Sequence, residues 1–404
     1  MRSIFKWCLL LFSVLLFNAC GAPATKKTPE KMANNKNTPT RTLLYVGTYT
    51  KKEGHVDGKA DGIYILEMDR KTGALTALDT IKNTINPSYL TVHPNKKYLY
   101  AANELVGDDL KSTGTISAYE LDKDGLFSKV LNVAPAAGDA PCHVSVDATG
   151  KYLLSANYMG ANVAALPINT DGSLGEAVSV AEHKLANPPG GRQEAAHPHI
   201  ILPAVDKKSV FVADLGMDEV VQYRLENGQL EKLAATKLTA GAGPRHIDFH
   251  PSQKRMYVLN ELNQTIEVFT YQDVAQPFEH IQTISTITEP ISEGSIGTSA
   301  IHIHPSGQFL YAANRGIEGN TEQSIAMFSV DENSGKLALL GLQNTKGEVP
   351  RDFMIDPSGR FLLVGNQDTD TIVTFTINQK TGILEETGLS KKVATPVCLK
   401  FVEI

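Results

Sequence analysis

The sequence predicts an all-β fold: a seven-bladed β-propeller with four-stranded blades, one of them closed jointly by the N- and C-terminal strands. Three observations predict it. A two-strand unit recurs six times at intervals of about fifty residues, the period expected of propeller blades. Most units continue into a further alternating strand and a glycine-containing turn, and no stretch shows sustained helical periodicity with caps. A lone copy of the second strand opens the domain, and a lone strand ends it.

The N-terminal elements come first. Arg2 and Lys6 precede an apolar run over 7–17 that is too short to span a bilayer and reads as part of a signal segment, residues 1–20. Asn18-Ala19-Cys20 resembles a bacterial lipobox, with Cys20 as the lipidated first residue of the mature chain. Cleavage near Ala19 without lipidation is the plainer alternative. Residues 21–41, rich in Lys, Thr, Pro and Asn, read as a flexible tether to a domain over 42–404. The expected address is therefore outside the cytoplasm, anchored by lipid on the periplasmic or surface side of the envelope. Lipid is then the one membrane contact. A net charge of −6 with scattered Lys and Arg argues against a nucleic-acid partner. Cys142 and Cys398 lie in distant repeats and read as free buried thiols. No Cys/His spacing suits a metal, and no cofactor is implied.

The repeats follow. They occupy 89–104 (YLTVHPNKKYLYAANE), 143–158 (HVSVDATGKYLLSANY), 199–215, 246–261 (HIDFHPSQKRMYVLNE), 301–315 (IHIHPSGQFLYAANR) and 352–367 (DFMIDPSGRFLLVGNQ). Third strands follow at 115–121, 220–225, 265–270, 324–330 and 371–377. Residues 44–49 (LYVGTY) lack a first strand and residues 397–402 (VCLKFV) lack a hairpin partner, so each half completes the other. His93, His250 and His304, each before a Pro, read as structural turn residues. The Asn or Asp at 103, 157, 214, 260, 314 and 366 reads as a tie between strand ends.

Hairpin geometry then locates a site. The start of strand one lies beside the end of strand two, so residue 245 is expected opposite residue 261. Blades of one orientation gather all such positions at one mouth of the channel. Strand-one starts supply Tyr89, His143, His197, His199, Arg245, His246, Arg351 and Asp352; strand-two ends supply Tyr49, Glu104, Tyr158, Glu261, Arg315 and Gln367. The opposite mouth repeats Pro-Ser-Gly turns. Paired arginines suit an anionic ligand, and a His or Glu beside them can take a proton from water. A polar channel that merely holds water is the competing reading, above all for Glu104 and His143. No Gly-x-Ser-x-Gly elbow is present.

At these residues the chain resembles the propeller lactonases that include bacterial 6-phosphogluconolactonase and fungal carboxymuconate cyclase. The matching runs are 44–50 (LYVGTYT), 191–199 (GRQEAAHPH), 243–263 (GPRHIDFHPSQKRMYVLNELN), 311–316 (YAANRG) and 350–368 (PRDFMIDPSGRFLLVGNQD). The resemblance implies an active site of His197 (or His199), Arg245, Glu261 and Arg315. His199, His143, His246, Arg192, Arg351, Asp352 and Glu104 are the surrounding substrate-binding candidates. The implied reaction is hydrolysis of an anionic sugar lactone, with His197 or Glu261 as base and Arg245 and Arg315 on the anion and the oxyanion. Cycloisomerisation of a muconate-like diacid, a non-catalytic ligand- or protein-binding propeller and a calcium-dependent lactonase are the alternatives.

Overall fold

The computed structural model describes residues 41–404, apart from 55, 107–113, 205–208, 272–275, 277 and 290–293. The expected signal segment, Cys20 and the tether up to residue 40 lie outside the described residues. Seven antiparallel four-stranded sheets form the seven blades, numbered in chain order from the one built on Thr42–Thr48, and a two-stranded hairpin, Lys52–Glu53 with Val56–Asp57, lies in a loop of the first. No helix occurs among the described residues.

Closure follows the predicted scheme. In blade 1 the strand Pro396–Glu403 pairs antiparallel with Thr42–Thr48, from Thr42 opposite Glu403 to Thr48 opposite Pro396. The strands Gly62–Met68 and Leu75–Lys82 complete that blade. Arg41, placed at the end of the tether by the sequence, exchanges backbone hydrogen bonds with Ile404 and ion-pairs with Glu67 at 2.8 Å.

The second strand of every blade is buried on both faces, which explains its unbroken apolar character. Blades are then tied to their neighbours by polar tips on apolar bodies. Tyr45, Tyr100, Tyr257 and Tyr311 are fully buried and donate to the carbonyls of Gly125, Gly172, Gly335 and Gly382 in the following blade. The turn histidines do the same work. His93 Nε2 meets the Gly150 carbonyl at 2.9 Å and His304 Nε2 that of Gly359 at 2.8 Å. The strand-end Asn residues bond to neighbouring loops, as Asn157 does to the Ala136 carbonyl and Asn314 to that of Thr286. Cys142 and Cys398 are free and buried.

Candidate active site

The site is built by one backbone device repeated around the ring. In six blades the innermost strand begins with Pro: Pro87, Pro141, Pro198, Pro244, Pro350 and Pro396. Pro has no N–H to give the ladder, so pairing at that end is weak. The next residue is bulged out of register. In blade 5, Pro244 pairs with Asn260 and His246 with Leu259, leaving Arg245 without a partner. This corrects the expected pairing of 245 with 261: the Glu261 N–H instead donates to the Gly243 carbonyl at 2.7 Å. The same extra residue appears as Ser88, Cys142, His199, Arg351 and Val397. A bulge re-aims its side chain, here into the channel.

The residue before the Pro takes a positive φ in five of these blades: Asn86 at 43°, Ala140 at 48°, Gly243 at 63°, Val349 at 54° and Thr395 at 43°. Four of the five are not glycine, which concentrates backbone strain at this rim. Their carbonyls face strand-two ends. Asn86 accepts from Glu104, Ala140 from Tyr158 and Val349 from Gln367.

The bulged residues and strand ends enclose a cavity of about 870 Å³ at this mouth. Its lining includes Glu104, Cys142, Tyr158, Arg192, His199, Glu261, Arg315 and Arg351. A narrow throat continues from it, lined by Tyr89, Arg245, His246 and Asp352 among others; Glu104, Cys142, His199 and Arg351 line both.

Glu261 is the centre of charge. The residue is 4% exposed, and its carboxylate ion-pairs with Arg245 at 2.9 Å, Arg192 at 3.0 Å and Arg315 at 3.3 Å. Burial pushes the carboxyl up, but Arg315, Arg245, Arg192 and Arg351 outweigh it and hold it at about 2. Arg315 also donates to the Gly297 and Thr298 carbonyls, and Arg245 to the Ser299 carbonyl. His143, His199 and His246 are held neutral: burial first, then the Arg245 charge among other cations, pushes each well below the usual imidazole range. Among the described residues no three His, Cys, Asp or Glu side chains are grouped to hold a metal ion.

The structure thus brings Arg192, Arg245, Glu261 and Arg315 into direct contact and adds His199, Glu104 and Arg351 to the same cavity. His197 stands apart. Its ring stacks on Tyr158 with centroids 4.3 Å apart; Nδ1 meets the Tyr158 carbonyl at 2.9 Å and Nε2 meets Glu194 at 3.1 Å. Both nitrogens are therefore occupied behind the cavity wall. His143 packs against Tyr89 at 4.2 Å and its Nδ1 faces the Ile201 N–H. Asp352 accepts from the Leu399 N–H at 2.7 Å, and Glu104 accepts from Tyr49 Oη at 2.9 Å.

Sequence reasoning passed over Cys142, Ser299, His302 and Lys400. His302 lies between Asp248 and Asp352 at 3.7 and 3.8 Å, and Lys400 meets Tyr89 Oη at 3.1 Å. The signal for Cys142 was present: Ala140-Pro141-Cys142-His143 stands in the same frame as Gly243-Pro244-Arg245-His246.

A closed seven-bladed ring with one arginine-rich mouth defines the class, and the chain belongs to the family described as lactonase, 7-bladed beta-propeller, whose model matches residues 43–401. It is 37% identical to a 6-phosphogluconolactonase of Bacillus subtilis over 90% of this chain and 99% of that one. It is 32% identical to a 6-phosphogluconolactonase of Formosa agariphila over 85% of this chain and 94% of the relative. Among solved structures, a periplasmic gluconolactonase from Pseudomonas aeruginosa superposes with a TM-score of 0.80 at 30% identity, covering 90% of this chain and 99% of that one. A Bacteroides fragilis protein matches with the same TM-score at 34% identity, over 90% and 98% of the two chains.

Proposed function

We propose that this protein is an enzyme that hydrolyses the ring ester of an anionic sugar lactone, as its relatives named 6-phosphogluconolactonase do. The carrying observation is the cavity with its throat: Arg192, Arg315 and Arg351 line the cavity and Arg245 the throat, beside a fixed carboxylate and a neutral imidazole. Hydrolysis needs a water with somewhere to leave its proton, and a positive group where the tetrahedral oxyanion forms. His199 is neutral and lines the cavity, so it takes the water proton in this reading. Glu261 is committed to three arginines; in this reading it orients the water and fixes the arginines. Arg315, pinned by two carbonyls and Glu261, is a preorganised donor for the oxyanion. His197 supports Tyr158 from behind in this scheme.

The test is a lactone panel run with the full-length chain: 6-phosphogluconolactone, gluconolactone and a muconolactone-type diacid lactone, against the spontaneous rate. Opening of the phosphorylated or another charged sugar lactone is expected. No acceleration of any sugar lactone overturns the reading.

We further propose export and lipidation at Cys20. The run Asn18-Ala19-Cys20 supports this, as does the similarity to a gluconolactonase described as periplasmic. Cys20→Ser should abolish incorporation of labelled fatty acid and release the protein from membranes. Labelling that survives the substitution rules out this anchor.

A further inference from the structure

The four arginines of the cavity and its throat have unequal partners. A guanidinium carries five N–H donors in a planar fork, so its commitments can be counted. Arg245 meets the Ser299 carbonyl, His246 Nε2 at 3.0 Å and Glu261 at 2.9 Å. Arg315 meets the Gly297 carbonyl at 3.3 Å, the Thr298 carbonyl at 3.1 Å and Glu261 at 3.3 Å. Arg192 meets Tyr158 Oη at 3.2 Å and Glu261 at 3.0 Å. For Arg351, no hydrogen-bond acceptor and no carboxylate within ion-pair distance occurs among the described residues.

Arg351 is nevertheless a placed residue. It occupies the bulge of blade 7, immediately after Val349 with its φ of 54° and Pro350. It is half-buried and lines both the mouth and the throat, the depth it shares with His199. Burial works against its charge, but Tyr49, Glu104 and Glu261 nearby more than offset this and raise its pKa. Glu104 is itself held by the Tyr49 hydroxyl at 2.9 Å, so it supplies field without making contact. A charged guanidinium with its whole fork open to a cavity matches a group with two or three anionic oxygens.

Resting on the lactonase reading, we propose that Arg351 receives the anionic group of the substrate, a phosphate or carboxylate, while Arg245 and Arg315 stay locked on Glu261. The division follows from what binding would break. An anion taking the donors that Arg245 and Arg315 turn to Glu261 must pull a buried ion pair apart, whereas Arg351 has no such pair to break.

The experiment uses the full-length protein with Arg351→Gln and Arg351→Lys. Inorganic phosphate binding is measured by calorimetry, and KM and kcat are measured on the charged lactone. Arg351→Gln should weaken phosphate binding by about tenfold or more, the factor a charge-assisted pair supports. KM should rise by a similar factor with kcat changed far less, and Arg351→Lys should recover part of both. The melting temperature should hold, because no hydrogen bond within the protein is lost. Three results would overturn the assignment: wild type that does not bind phosphate, Arg351→Gln that binds it with wild-type affinity, or a fall in kcat at unchanged KM. Phosphate binding needs no turnover. Loss of binding in Arg351→Gln together with a protein that opens no lactone would sink the lactonase reading and leave Arg351 as an anion receptor.

Discussion

His197 and His199 are two residues apart, and Pro198 between them turns one to the wall and the other to the cavity. His199 occupies the bulge of blade 4, where the side chain points down the channel. Replacement of His199 by Gln should lower kcat by about 10²–10⁴-fold, the range for a positioned general base, while His197→Gln should act through stability and the placement of Tyr158. The pH profile carries the same prediction. Burial holds His199 well below 6.5, so its basic form persists beneath that pH. Wild-type rate should stay level from neutral into mildly acidic buffer and fall once the imidazole protonates. A rate that halves near pH 6.5 would contradict this assignment, as would a His199→Gln enzyme of wild-type kcat.

The bulge at the head of each inner strand is where backbone chemistry and site geometry meet. Gly243 is its clearest case: φ is 63°, and a Cβ there would lie 2.4 Å from Leu262 Cγ. Its carbonyl anchors Glu261, and Arg245 follows two residues on. Gly243→Ala should therefore cost about 1–3 kcal/mol by urea unfolding and reduce lactone turnover together, since strain and site share one turn. Unchanged unfolding would show that the turn relaxes freely. These bulges also explain what the sequence left illegible. Strand alternation and turn spacing located every blade, because those are period-two and fifty-residue signals. A one-residue bulge leaves the fifty-residue period intact, so the position shared by Cys142, His199, Arg245 and Arg351 was marked in the sequence only by the Pro before each of them. The partners of Arg245 and Arg315 on Ser299, Gly297 and Thr298 were hidden for a different reason. They come from the adjacent blade, or from an extended strand that starts without Pro. The contact of Arg192 with Glu261 crosses from a long loop, to which no repeat applies.

At the scale of the whole molecule, the seven sheets depend on one closing strand. Pro396–Glu403 contributes the inner strand of blade 1 and packs against both neighbours; Asp352 of blade 7 receives its Leu399 N–H, and Cys398 Sγ meets the Leu90 N–H of blade 2. Ending the chain at Thr395 should expose the buried Leu44 and Val46 edge of Thr42–Thr48 and abolish cooperative thermal unfolding. A truncated chain that melts as sharply as wild type would show that the ring tolerates an open blade. The same arrangement sets an order of events in synthesis. The first blade to leave the ribosome is finished by the strand Pro396–Glu403, so the ring has no finished state until that strand has emerged. A ribosome that stops early releases a chain with a raw edge, open to proteases, in place of a serviceable shorter enzyme.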